Sequence, residues 1–76
     1  MKDSTYKIIE KIEQWAQDHK EGEFIHGKNN WYFAYTNRVI IDRTRATRVT
    51  TLPYFSSYEV AEQCLKELGD IKEIWL

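Results

Sequence analysis

The chain has 76 residues, 11 Lys+Arg against 12 Asp+Glu, and a formal net charge of −1. That length suits a single domain, 1–76, with a thin core and little space for a deep catalytic cavity beside it. The near-neutral balance differs from dedicated nucleic-acid binders, whose domains usually exceed a pI of about 9. No apolar run approaches the ~18 residues of a membrane span, so no membrane role is expected.

The first third reads as an amphipathic helix. Ile8, Ile9, Ile12, Trp15, Ala16 and His19 recur at steps of three and four, the helical period, with Lys7, Glu10, Lys11 and Glu13 on the other side. Asp3, Ser4 or Thr5 can supply the N-cap oxygen, and Gly22 is the predicted stop. This opening stretch has no apolar segment of the secretory kind. Together with a lone cysteine, Cys64, which cannot close an internal disulfide, it points to a reducing cytoplasm.

The middle reads as sheet. Trp31–Thr36 (WYFAYT) is rich in aromatics, after a turn-like Lys28-Asn29-Asn30. Asn37-Arg38 is a candidate reversal, because Asn tolerates positive φ; a two-residue turn pairs Thr36 with Val39, and a longer one shifts every face. Val39–Arg45 and Arg48–Leu52 supply two more strands, and Pro53 ends the last.

Residues 53–69, PYFSSYEVAEQCLKELG, carry a second helix. Ser56 and Glu59 fit a capping box, with Phe55 and Val60 as its hydrophobic staple. Ala61, Cys64, Leu65 and Leu68 mark one face, and Gly69 supplies a left-handed end. The tail IKEIWL packs as a last helical turn or short strand, or else stands out as an apolar hook. The expected class is α+β, ordered α-β-β-β-α: a three-stranded antiparallel sheet with two helices packed on one face. The other face is left bare.

Charge is unevenly spread. Residues 1–23 carry net −2, residues 24–55 net +4 and residues 56–76 net −3. Arginines on strands often serve only as solvated edge charges. They also suit an outward role, because a guanidinium fork donates in pairs to carboxylate or phosphate. Arg38, Arg43, Arg45 and Arg48, with Tyr32 and Tyr35 nearby, form the candidate partner-binding set on the bare face. Arg, Tyr and Trp dominate protein hot spots, and the same mix serves single-stranded nucleic acid. A protein partner ranks first because the helices are acidic and no RNA-binding aromatic signature is present.

Chemistry is not expected. His19 and His26 lack metal-ligand company, Cys64 falls on an apolar helix face, and Gly22, Gly27 and Gly69 are too scattered for a phosphate loop. No catalytic residue, metal or cofactor is assigned, and enzyme activity is not anticipated.

The segment Tyr54, Phe55, Ser57, Glu59, Ala61, Glu62, Leu65, Leu68 and Gly69 fits the pattern YF-[KS]-S-x-E-x-A-E-x-x-[IL]-x-x-[IL]-G. With the upstream WYFAYTNRVIIDRT, the chain resembles small accessory proteins of phages and prophages of Gram-positive bacteria over about two-thirds of its length. The pair Ser56-Ser57 replaces the commoner basic-Ser. The resemblance implies a non-enzymatic protein that binds a host or phage protein, or a nucleoprotein complex. Inhibition of a defence protein such as a CRISPR nuclease, as by an anti-CRISPR protein, is one such role. Nucleic acid is the alternative partner, and a homodimer through the sheet edge or the tail is compatible with either.

Overall fold

A computed structural model describes residues 3–75. The fold is α+β: helix α1 (Asp3–Asp18), strands β1 (Asn30–Tyr35) and β2 (Val39–Thr44), helix α2 (Tyr58–Leu68) and a closing 3-10 turn, Ile71–Trp75. No helix among the described residues is long and apolar enough to cross a membrane.

The predicted stripe of α1 holds over most of its length, with Ile9 half-buried and His19 exposed. Ile8, Ile12, Trp15 and Ala16 are buried, and they share one cluster with Ala61 and Cys64 of α2, Phe33 of β1, Leu52, Phe55 and Ile71. The helix is already formed at Asp3, so its cap falls outside the described residues, and Thr5 is a buried helical residue rather than a cap. The stop is Lys20, not Gly22. Lys20 takes φ 56°, its amide donates to Gln17 O, and the Glu21 amide reaches back to Ala16 O at 2.7 Å. Those are the two bonds of a Schellman ending, here without its usual glycine. Gly22 serves another purpose. At φ 112° it lies against α1, where an added Cβ would sit 3.4 Å from Ala16 Cβ.

The sheet has two strands, not three. They pair antiparallel from Asn30↔Thr44 to Tyr35↔Val39, around a three-residue loop in which Asn37 takes φ 73°. Asn thus supplies the left-handed residue as its chemistry suggested, but the turn is one residue longer than the tight alternative. Residues 48–52 form no strand. Their amides are claimed locally: Val49 and Thr50 donate to the Tyr54 hydroxyl, and Leu52 to Thr50 Oγ1. The chain instead crosses the open end of the hairpin and meets β1 on its other side. There Trp31 and Phe55 exchange both backbone bonds, at 2.9 and 2.8 Å, and Gly22 pairs with Tyr54.

Helix α2 is capped by Ser57, one residue later than predicted: Ser57 Oγ accepts from Val60 N at 3.2 Å. Ser56 is not the cap because its amide and hydroxyl both donate to Glu21 Oε1, at 2.9 and 2.7 Å. Glu59 lies in the first turn, where its charge favours the helix dipole. Gly69 ends the helix at φ 72°, as its position implied. The tail is docked, with Ile71 fully buried and Trp75 stacked on Tyr35; Leu76 lies outside the described residues.

Candidate interaction surface

Side chains alternate along a strand, and directly paired residues share a face. The register therefore sorts the hairpin. Trp31, Phe33, Tyr35, Val39, Ile41 and Arg43 point to the core side, and Tyr32, Ala34, Ile40 and Asp42 to the other. This overturns the single arginine-bearing bare face. The far face of the strands carries one carboxylate and no arginine.

The six candidate residues separate accordingly. Arg43 projects on the core side, its guanidinium 5.8 Å from the Trp31 ring centre. Tyr35 is on that side too, stacked on Trp75 at 5.8 Å with an 11° interplanar angle. Tyr32 is on the far side. Burial first, and then the facing Asp42 carboxylate, push its hydroxyl above the usual tyrosine range. Arg38 sits in the loop between the strands, at the opposite end of the hairpin from Arg45 and Arg48. Those two leave the strand ladder and lie in the crossing segment.

Lys28, Arg43, Arg45 and Arg48 all lie toward the open end of the hairpin and make it a basic rim, with Arg43 on the core side over Trp31 and Arg48 over Phe24, which packs on Tyr54 beside far-side Tyr32. Buried Asn30 builds the rim. Its amide oxygen accepts from Ile25 N at 2.8 Å, and its nitrogen donates to Ile25 O, Lys28 O and Thr44 O at 2.9, 2.7 and 3.2 Å. Arg45 Nη2 donates to Gly27 O, while the Gly27 amide donates back to Arg45 O. Tyr54 anchors the last part. Its hydroxyl accepts from Val49 N and Thr50 N and donates to Thr50 O, while its ring packs edge-on to Phe24 and Tyr32. Arg48 lies 5.5 Å over the Phe24 ring.

Among the described residues the ion pairs are Lys11–Asp70 and Lys66–Glu62, both 3.6 Å; no arginine takes part in one. All four arginines are exposed. Two rest on aromatic faces, which orients a guanidinium without neutralising it. The rim can therefore donate several charge-assisted hydrogen bonds to an anionic group. Phe24 and Asn30 escaped the sequence reading. Phe24 and Ile25 form only a short apolar pair among polar residues, and Asn30 looked like one more turn residue. Nothing local marks either.

Burial, and secondarily Glu67, push the Cys64 thiol up to about 12, and the side chain is wholly enclosed. His19 stacks on Trp15 with ring centres 3.7 Å apart at the end of α1. His26 lies in an exposed turn. No cluster of three or more His, Cys, Asp or Glu able to hold a metal ion occurs among the described residues. An open hollow of about 730 Å³ beside Asn30 sets Glu21 and Glu23 against Lys20 and Lys28.

No family model, no curated protein and no solved structure matches the chain.

Proposed function

We propose that this chain is a non-enzymatic binding protein that docks on an acidic patch of another protein through Arg43, Arg45 and Arg48. One observation carries the reading: three exposed guanidiniums lie toward one end of the hairpin, and none pairs with a carboxylate among the described residues. Arginine is among the side chains enriched in protein hot spots, and Arg43 and Arg48 each lie over an aromatic ring. The resemblance to phage accessory proteins supports a host protein as the partner, a defence nuclease among the candidates.

The aromatic geometry favours protein over nucleic acid. Stacked bases need free ring faces. Trp31 has Arg43 over its ring and Tyr58 packed against it, and Phe24 has Arg48 and Tyr54. Tyr35 is stacked on Trp75.

The test is capture from host lysate by the native chain and by Arg43→Glu/Arg45→Glu/Arg48→Glu, with circular dichroism to verify the fold. The native chain retains a partner and the variant loses it. Unchanged capture by a folded variant refutes the surface. Binding of a generic oligonucleotide at low salt, weakening about one log unit per log salt for each phosphate neutralised, refutes the choice of protein.

A further inference from the structure

The outer edge of β2 has no strand beside it among the described residues. Bonds around the hairpin fix which of its backbone groups point outward. Thr36 N donates to Arg38 O across the loop, and Trp31 directs its amide and carbonyl away from β2, to Phe55. In an antiparallel ladder, facing pairs alternate between exchanging both bonds and exchanging none. Arg38, Ile40 and Asp42 therefore turn their backbone groups toward β1. Val39, Ile41 and Arg43 turn theirs outward. The Arg43 amide is already occupied, by Asp42 Oδ1 at 2.8 Å. The free backbone is thus short: the amides and carbonyls of Val39 and Ile41, with the Arg43 carbonyl beyond them.

This window selects a register. An antiparallel copy of β2 centred on Ile41 needs the Arg43 amide, which Asp42 holds. Centred on Ile40, it needs only Val39 and Ile41, each exchanging both bonds with the other in the second copy. That same register sets Arg38 of each copy directly opposite Asp42 of the other, so opposite charges meet twice. The two Ile40 side chains meet at the axis on the far face. On the core side, Val39 and Ile41 of the second copy enter a groove of about 420 Å³ between β2 and Tyr58, Glu62 and Leu65 of α2. Edge bonding, charge and space agree on one arrangement, and a single patch serves both copies, as two-fold symmetry requires.

We infer that this chain forms a two-fold dimer by antiparallel pairing of β2 with β2 of a second copy, centred on Ile40 and framed by reciprocal Arg38–Asp42 contacts. The four-stranded sheet so formed carries its two basic rims at opposite ends, leaving both open to other partners. Arg38, stranded away from the rim, has its role here.

Sedimentation equilibrium on the full chain, from micromolar to millimolar, tests this. The native chain shifts from monomer to dimer mass. Ile40→Lys, on a half-exposed position, stays monomeric with an unchanged circular dichroism spectrum. Arg38→Asp weakens association about tenfold, since two exposed charge pairs become repulsions. Arg38→Asp combined with Asp42→Arg restores it. Arg43→Glu leaves the dimer intact, which separates this surface from the docking rim. A native chain still monomeric at millimolar concentration overturns the inference and leaves the edge to a foreign strand. Undiminished dimerisation of Ile40→Lys overturns it in favour of another surface. Failure of the charge exchange to restore affinity in a folded double variant overturns the reciprocal Arg38–Asp42 contacts.

Discussion

Replacing Tyr54 by Phe removes one oxygen and leaves the ring. The side chain is 3% exposed, and its ring contacts with Phe24 and Tyr32, at 5.2 and 6.0 Å, do not involve the hydroxyl. What disappears is the set of bonds to Val49 N at 2.8 Å, Thr50 N at 3.0 Å and Thr50 O at 3.0 Å. A net hydrogen bond contributes about 0.5–1.5 kcal/mol, so three give roughly 1.5–4.5. Val49 is 52% exposed, so its amide recovers water once the segment loosens, which favours the lower half of that range. The expected loss is about 2 kcal/mol, which for a domain of this size lowers Tm by about 8–16 °C. Thermal melts followed by circular dichroism measure the total. Amide exchange locates it: protection at Val49 and Thr50 falls below that of the rest of the chain. A melt within about 2 °C of native, with exchange unchanged at those two amides, would refute the role given to the hydroxyl.

Asn30→Ala should cost about 2–3 kcal/mol, because several bonds from a buried amide vanish together; a lower urea midpoint with unchanged slope is the expected sign. Lys20→Gly relieves a left-handed backbone and should stabilise by about 0.5 kcal/mol net of the entropy glycine adds to the unfolded chain. Gly22→Ala should destabilise by more than about 1 kcal/mol, since φ 112° disfavours any Cβ; paired melts check both. Native Cys64 should resist alkylation at mildly alkaline pH and react only as the chain unfolds, read by mass spectrometry. Its thiol is raised in the folded state, so stability is full below the unfolded value of 9.0 and declines as pH climbs toward about 12. Tyr32, also raised, adds to that alkaline decline, and urea midpoints across the range report it.

The helices were legible because their signals are local. The Ile8–Ile12–Trp15 spacing and the Gly69 ending need no knowledge of the rest of the chain. The error at Ser56 is instructive. Either serine could cap α2, and the choice was made by Glu21, far away in sequence, whose carboxylate takes both Ser56 donors. The missing strand has a similar cause. Residues 48–52 have strand-like composition, yet Tyr54 offers their amides a closer acceptor, and β1 already finds a neighbour in Phe55. The arginine cluster was visible as composition, but its arrangement was not. A loop of three residues rather than two decides which face each strand residue takes, and no residue of the loop announces its length. Lys28 was counted as charge without a place, since only the Asn30 clamp brings it beside Arg45.

The bridge between Trp31 and Phe55 also orders events during folding. The hairpin closes from neighbours in sequence and can zip while the chain is still emerging. The inner side of β1 must wait for residues 54 and 55. Until those two residues dock, the hairpin is a two-stranded ribbon whose inner edge is open and whose Phe33 lacks its Phe55 neighbour.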